Sequence, residues 1–335
     1  MSHKNIPVFI PHLGCPNDCV FCNQRKITKR LTFDENGVKD TIDEAVSTLK
    51  PGDDAEIAFF GGSFTGIDRG LMIRLLTLGH SYIERGAVTS LRCSTRPDYI
   101  NGEILELLKK YGVKTVELGI QSTDDEVLRT CRRGHTARQS FEAMKMIKDA
   151  GFAFIGQMMT GLPGASASSE IQTAEDICKY ADGARIYPIV VFKDTELACM
   201  AEAGAYEPYT LDELVLRTAD VKEVFIKHEI PTIRVGLQAN EGLTGGDEIA
   251  CGGYDEAIGE RCDSLIYYRR ISRLLSENAA TSVTVAVPYG HVSRAAGHKK
   301  ENKTRLFAQF GIKDIKFIEK DLPPYTAELI TRQCI

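Results

Sequence analysis

Apolar runs that alternate with amphipathic stretches limit the fold of this 335-residue sequence more than any other feature. Six short apolar runs are typical of strands, and the segments between them carry apolar residues at helical spacing. The predicted strands span residues 6–12, 57–60, 88–94, 113–120, 152–159 and 184–192. Helices are predicted near residues 41–49, 70–85, 104–111, 125–131, 138–150, 169–180 and 211–228. Repeated strand–helix units predict an α/β protein whose parallel strands are joined by helical crossovers.

The pattern changes at about Glu241, which divides the chain into a main unit, 1–240, and an extension, 241–335. Residues 242–253 are glycine-rich and loop-like. They are followed by a predicted helix over 254–276, a strand over 282–287, a helix over 291–310 and a strand over 312–318. We therefore expect a small α/β extension, either packed on the main unit or forming a separate lobe.

Composition limits the environment and the partners of the chain. Ten cysteines without a secretory leader favour a reducing compartment and metal use over disulfides, so a cytoplasmic protein is expected. No apolar run approaches the roughly 18 residues that a membrane span needs, and no membrane partner is expected. The net charge of −5 does not by itself indicate a nucleic-acid-binding protein.

Three cysteines lie within eight residues, at Cys15, Cys19 and Cys22, directly after the first predicted strand. Their C-x3-C-x2-C spacing lets three thiolates converge on one inorganic centre, and the next cysteine, Cys93, is far along the chain. A structural zinc site usually has four ligands. A four-iron cluster held by three cysteines keeps one iron open for a small molecule. The spacing favours such a [4Fe–4S] cluster; the alternatives are a zinc knuckle that borrows His12 and three thiols that merely pack.

A glycine-rich turn follows the second predicted strand. It contains Gly61, Gly62, Ser63 and Thr65. Adjacent glycines permit a close approach of the backbone to a ligand, and the hydroxyl groups add hydrogen-bond acceptors. The turn is therefore a candidate ligand-binding loop.

Polar residues also end the third and fourth predicted strands. Ser94 closes the third, and strand alternation puts Glu117, Gly119 and Gln121 on one face of the fourth. A glutamate and a glutamine that face a barrel interior are costly without partners. Either a polar ligand or an internal hydrogen bond is expected to satisfy them.

The cysteine segment, including the aromatic Phe21 before Cys22, resembles the cluster loop of the radical S-adenosylmethionine (SAM) superfamily. This resemblance implies a partial (β/α)6 TIM-type barrel, with the active site at the carboxyl ends of the strands. It also implies an enzyme in which SAM chelates the open iron of a [4Fe–4S] cluster. A reductant such as flavodoxin or ferredoxin would supply the electron that splits SAM to a 5′-deoxyadenosyl radical, which abstracts hydrogen from a substrate.

The resemblance also assigns roles to single residues. Cys15, Cys19 and Cys22 would hold the cluster, and Phe21 and the turn with Gly61, Gly62, Ser63 and Thr65 would lie at the cofactor. Ser94 stands where the related enzymes usually carry a glutamate that contacts the SAM amino group. Gln121 and Arg133 would reach SAM, with Arg133 on its carboxylate. Gln157 matches the aspartate that binds ribose hydroxyls in oxygen-independent coproporphyrinogen oxidases. Tyr187 would point toward the substrate, although a tyrosine packed in the core is an equal alternative.

Four segments, 117–122, 133–136, 185–188 and 205–210, resemble the radical domain of the elongator catalytic subunit, which modifies wobble uridines of transfer RNA. The resemblance covers about residues 6–238 and implies transfer RNA as the substrate. The elongator enzymes differ in their longer cysteine spacing, their basic N-terminal segment and their acetyltransferase domain, whose glycine-rich acetyl-coenzyme A turn has no counterpart in 241–335.

Two other functions remain open from the sequence. One is radical modification of a peptide or a small metabolite, which the acidic net charge favours. The other is a non-catalytic module on the same barrel that binds RNA or zinc. Residues 291–305, with five cationic side chains and two histidines against Glu301, are a hypothetical RNA-facing strip.

Overall fold

Seven parallel strands form one sheet, and their order across the sheet follows their order along the chain. The computed structural model describes residues 3–10, 13–15, 18–23, 33–50, 52–237, 246–277 and 280–333. Within these residues the strands of the sheet are β1 (His3–Phe9), β2 (Asp54–Phe60), β3 (Ser90–Thr95), β4 (Val113–Gln121), β5 (Ala153–Thr160), β6 (Gly183–Pro188) and β8 (Thr232–Val235). The sheet curls into a partial TIM-type barrel, which confirms the predicted fold class.

Helices cross from each strand of the barrel to the next. They are α1 (Gly37–Ser47), α2 (Arg69–Glu84), α3 (Gly102–Lys110), α4 (Asp125–Thr130), α5 (Ala137–Asp149), α6 (Ala167–Cys178), α7 (Glu196–Glu202) and α8 (Leu211–Lys227). Capping boxes begin α5 at Thr136, α6 at Ser166 and α8 at Thr210, because each side chain accepts a hydrogen bond from the third residue of its helix. Among the described residues, no helix combines the length and the apolar character that crossing a membrane requires.

The sixth predicted strand is wrong in its second half. Only Gly183–Pro188 belongs to the barrel sheet, and Val191–Phe192 forms a separate strand, β7, which pairs antiparallel with β9 (Ile249–Cys251). Pro188 explains the break, because proline has no N–H group to continue the ladder. The sequence reasoning also missed β8, which has only four residues, and α7.

The C-terminal residues form a small three-stranded sheet with three helices. The strands are β10 (Ser282–Pro288), β11 (Asp314–Lys320) and β12 (Glu328–Gln333), in the order β11-β10-β12. The helices are α9 (Ile258–Ser276), α10 (Val292–Ala296) and α11 (Glu301–Phe310). The single helix predicted over 291–310 is wrong, since Gly297, Lys299 and Lys300 adopt positive φ angles between α10 and α11. Strand β12 was not predicted.

One apolar cluster connects the barrel to α9. It includes Val20 from the cysteine loop, Leu162 after β5, Leu214 of α8, and Ile258 and Ile266 of α9. A second, larger cluster lies between the barrel sheet and its helices, and a third fills the C-terminal sheet. Helix α9 therefore shares buried surface with the strand ends of the barrel.

Candidate active site

The predicted site residues lie at or near the carboxyl ends of the barrel strands. The cysteine loop follows β1, the Gly-Gly-Ser turn follows β2, and Ser94 and Gln121 lie in the last two residues of β3 and β4. Gln157 and Tyr187 lie within β5 and β6. Because the carboxyl ends of parallel strands meet at one edge, these side chains share one face of the barrel.

Two backbone hydrogen bonds fix the last turn of the cysteine loop, one within the turn and one to the residue after α4. The Cys22 amide donates to the Cys19 carbonyl at 2.9 Å, and the Val20 amide donates to the Cys131 carbonyl at 3.3 Å. Val20 is 2% exposed and Phe21 packs beside it in the cluster that contains α9. Within the described residues, no three His, Cys, Asp or Glu side chains are gathered around a position for a single metal ion. His12, the zinc alternative, lies outside the described residues.

The glycine turn packs directly against the cysteine loop. A Cβ atom on Gly62 would lie 2.3 Å from the Leu13 carbonyl oxygen, and one on Gly14 would lie 2.2 Å from the Ser63 carbonyl oxygen. The Ser63 hydroxyl lies 3.6 Å from the Cys15 sulfur. Only glycine permits this backbone approach, so the glycines hold the two loops together.

Thr65 connects the glycine turn to residues at and after the end of β3. Its hydroxyl lies 2.6 Å from the Thr95 hydroxyl and donates to the Tyr99 carbonyl at 3.3 Å. Thr65 is 7% exposed. Its described contacts therefore join the glycine turn to the end of β3.

Arg133 reaches the cysteine loop from the turn between α4 and α5. Its Nη1 donates to the Cys19 sulfur at 3.3 Å, and its Nη2 donates to the Gly119 carbonyl at 2.7 Å. Arg96, which the sequence analysis did not assign to the site, supports this turn. It donates to the Arg133 carbonyl and forms a bidentate pair with Asp98 at 2.9 and 3.0 Å. The side chain of Arg96 is 4% exposed, so these contacts are buried.

Gln121 occupies an unusual backbone position at the end of β4. Its φ angle is 66°, and the pairing of β4 with β5 shifts register between Gly119 and Gln121. The Gln121 Oε1 atom is buried without a hydrogen-bond partner among the described residues. A buried acceptor of this kind requires an explanation, and a polar ligand provides one.

A network of buried charges fills the barrel below these loops. Glu117, fully buried, accepts from Arg92 at 2.8 Å, from Gln157 at 2.7 Å and from Arg185 at 3.1 Å. Arg92 also donates to Glu56 at 2.9 Å. The sequence reasoning predicted that Glu117 needs partners but missed the two arginines. Polar residues at alternate positions of otherwise apolar strands were the available signal.

Ser94 and Gln157 meet in this network, where the Gln157 amide lies 3.4 Å from the Ser94 hydroxyl. Tyr187 lies two residues after Arg185 on β6, so both side chains are on the same face of the strand. Burial raises the pKa of Tyr187, so the phenol is neutral and can donate a hydrogen bond at physiological pH.

Two further cysteines near the site behave as buried apolar groups. Cys93 on β3 and Cys131 after α4 are fully buried. Burial raises the pKa of each thiol to about 12, and neither thiol is therefore reactive.

Comparison with protein families decides the class of this fold. The family model described as the radical SAM superfamily matches residues 9–177, and the radical SAM C-terminal domain matches residues 181–261. The chain belongs to the radical SAM superfamily. It is thus a radical SAM enzyme, and the cofactors of this superfamily are a [4Fe–4S] cluster and SAM.

Curated relatives of this radical SAM protein include elongator proteins. The tRNA uridine(34) acetyltransferase of Methanocaldococcus infernus is 32% identical over 142 residues, which are 41% of this chain and 27% of that protein. Elongator complex protein 3 of Saccharomyces cerevisiae is 34% identical over 125 residues, which are 36% of this chain and 22% of that protein. The matched region spans about a quarter of the length of these relatives.

Solved structures share the fold. The Elp3 protein of Methanocaldococcus infernus, with an N-terminal deletion, superposes with a TM-score of 0.63 at 22% identity, over 82% of this chain and 64% of that one. SuiB of Streptococcus suis bound to SAM superposes with a TM-score of 0.51 at 14% identity, over 70% of this chain and 50% of that one. At these identities the likeness supports the partial barrel and nothing beyond it.

Proposed function

We propose that this enzyme uses a [4Fe–4S] cluster to cleave SAM reductively and that the resulting 5′-deoxyadenosyl radical abstracts hydrogen from a substrate. Cys15, Cys19 and Cys22 are the proposed cluster ligands. The observation that carries the proposal is the contact of the cysteine loop with Arg133 and the glycine turn at the strand ends. When bound, the cluster and SAM supply the electron transfer and the radical.

The residues around the cysteine loop fit SAM in their chemistry. The Arg133 guanidinium is suited to the carboxylate of SAM, since charge-assisted hydrogen bonds to carboxylates are strong. The buried Gln121 Oε1 is an acceptor that still needs a donor, and the glycine turn offers backbone groups for the ammonium. Phe21, Ser63, Ser94 and Gln157 are proposed to complete the cofactor site. Thr65 is proposed to act by holding the turn, through its bonds to β3.

The chain's own residues would orient the cofactor and exclude water. Arg96 fixes the carbonyl of Arg133 and thereby the turn from which the Arg133 side chain extends. Glu117 fixes the amide of Gln157. These buried contacts hold the polar groups of the site in place before the cofactor binds.

The test is the formation of 5′-deoxyadenosine from SAM by anaerobically reconstituted protein with dithionite, followed by chromatography. Wild-type protein should form it, and Cys19→Ala should not. Cys199→Ala is the matched control, because Cys199 is exposed on α7. Undiminished formation by Cys19→Ala would refute the proposal.

For the substrate, we propose transfer RNA, acted on in the cytoplasm with flavodoxin or ferredoxin as the reductant. The support is the resemblance to the relative named tRNA uridine(34) acetyltransferase, which is 32% identical over 142 residues. Residues 1–240 would carry the chemistry, and 241–335 would serve as an extension with a hypothetical RNA-facing strip. In that strip Lys299 and Lys300 are exposed, whereas Arg294 lies 3.4 Å from Asp263 and His291 hydrogen-bonds to Tyr267.

A gel shift with total transfer RNA at two salt concentrations tests this substrate. Retention that weakens steeply with salt is expected, because phosphate contacts release counterions. Unshifted RNA at low salt would contradict the proposal and favour a peptide or a small metabolite.

A further inference from the structure

The last strand of the barrel, β8, carries an arginine on its inner face. Val235 packs outward against α9, where a Cβ atom on Gly259 would lie 3.3 Å from the Val235 Cβ. Strand alternation then directs the preceding residue, Arg234, into the barrel. Arg234 pairs in register with Arg185, so the two guanidinium groups line neighbouring strands of the same wall.

The carboxylates inside the barrel are already committed to other arginines. Glu117 accepts from Arg92 and Arg185, and Glu56 accepts from Arg92. No ion pair joins Arg234 to an acidic side chain among the described residues. Among the described residues, three arginines (Arg92, Arg185 and Arg234) therefore face two glutamates in this part of the barrel, which leaves one positive charge without a described counterion. An unpaired cation in a partly buried site favours an anionic ligand.

Tyr187 adds a neutral donor beside this charge. Tyr187 follows Arg185 by two residues on β6, so it lies on the same face as Arg185 and its register partner Arg234. Burial raises the pKa of Tyr187, and the positive charges of the two arginines oppose part of that rise. Within the described chain, β8 ends the sheet and pairs only with β6. Arg234 itself is partly exposed, so a ligand can reach it.

We propose that Arg234, together with Arg185 and Tyr187, binds an anionic oxygen group of the substrate, a carboxylate or a phosphate. Arginine presents a fork of donors that matches either group. This inference rests on the proposed function, because it assigns a subsite to the same active site. The proposed subsite implies that the part of the substrate that enters the barrel carries a negative charge.

The experiment measures the dissociation constants of inorganic phosphate and of acetate. Each anion is titrated into reconstituted protein with SAM, at an ionic strength held constant with sodium chloride, and the melting temperature is followed. Wild-type protein should be stabilised saturably, and Arg234→Leu should bind the preferred anion about tenfold more weakly or worse. Arg234→Lys should retain part of the affinity, because it keeps the charge without the fork. The tighter of the two anions identifies the substrate group.

Arg138→Leu is the control, since Arg138 is an exposed arginine on α5 paired with Glu142. Its anion affinity should equal that of the wild type. If Arg234→Leu does not fold, Arg234→Gln takes its place. Equal affinity in the wild type and the Arg234 variant, or no saturable stabilisation of the wild type, overturns the inference.

Measurements of anion binding and of 5′-deoxyadenosine formation distinguish a failure of this inference from a failure of the proposed function. Protein that forms 5′-deoxyadenosine but binds neither anion overturns the subsite alone. Protein that binds an anion through Arg234 but forms no 5′-deoxyadenosine overturns the proposed function alone.

Discussion

At the scale of single residues, close backbone contact decides how the site is built. Gly14 and Gly62 let the cysteine loop and the glycine turn meet through their backbones. The sequence analysis predicted the glycine turn as a ligand-binding loop, because adjacent glycines permit close approach. It could not predict that the partner of these glycines is the cysteine loop, since that contact joins residues about 50 positions apart and depends on the pairing of β1 with β2.

A methyl group at Gly62 should therefore separate the two loops. In Gly62→Ala the added Cβ would meet the Leu13 and Ile10 carbonyl oxygens at 2.3 and 3.0 Å, and backbone atoms cannot rotate away. We expect a loss of about 1–3 kcal/mol in the free energy of unfolding, measured by urea denaturation, and weaker SAM binding. Gly102→Ala is the control, because its Cβ would meet no atom within 4 Å. Equal stabilities of the two variants would contradict the account.

His135 lies close to Arg133 and Arg96 and gives the site a predictable response to pH. Burial, together with the charges of Arg133 and Arg96 and against the opposing charge of Asp98, lowers the pKa of His135 to about 3. The unfolded chain then binds a proton near pH 6.5 that the folded chain does not bind. The stability from the neutral imidazole is complete above the unfolded pKa and is lost as the pH falls toward 3.

Between pH 6.5 and pH 5.5, His135 should reduce the free energy of unfolding by about 1 kcal/mol. His135→Leu removes this titration, so its stability should fall less over the same interval. Urea denaturation at the two pH values measures the difference. An identical pH dependence in both proteins would show that His135 is accessible to protons in the folded state.

At the scale of helices and strands, hydrophobic periodicity predicted the barrel. The predicted elements that were wrong extend across a proline or a glycine at which the real strand or helix ends. Strands β2 to β5 are largely buried on both faces, as is typical of parallel strands, although polar residues such as Arg92 and Glu117 interrupt their apolar runs. The predicted sixth strand fails after Pro188, and the predicted helix over 291–310 fails at Gly297. Strand β8 has an exposed Ile233 and a partly buried Arg234, so it lacks the apolar run that would have revealed it.

Helix α9 provides a test of how the barrel and the C-terminal residues are joined. Ile266 is fully buried in the cluster that it shares with Leu214 and Val20. Ile266→Ala should lower the free energy of unfolding by about 3 kcal/mol, because it leaves a cavity in that shared core. Calorimetry should show one transition, shifted as a whole. Leu216→Ala, at a residue that is 48% exposed on α8, is the control and should change little.

Two separate transitions, with only one of them shifted by Ile266→Ala, would contradict this expectation. They would favour the division at residue 240 into two units that unfold independently.

At the scale of the whole molecule, the sequence predicted that the candidate site residues share one edge of the barrel, but not the arginines that pair with Glu117 inside it. Motifs at the ends of successive strands indicated one shared edge, because parallel strands bring their carboxyl ends together. The pairing of Glu117 with Arg92 and Arg185 joins three different strands. Such pairs depend on the curl of the sheet, which local periodicity does not specify. The same limit hid Arg234 and the hydrogen bond from Arg96 to the Arg133 carbonyl.

The electron paramagnetic resonance spectrum of the dithionite-reduced protein, recorded with and without SAM, tests most directly whether Cys15, Cys19 and Cys22 hold a four-iron cluster with one open iron. We expect a reduced-cluster signal in wild-type protein whose g-values change when SAM is added, and we expect Cys19→Ala to lose that signal. A wild-type cluster signal that SAM leaves unchanged, or colourless protein that contains one zinc, would contradict this expectation.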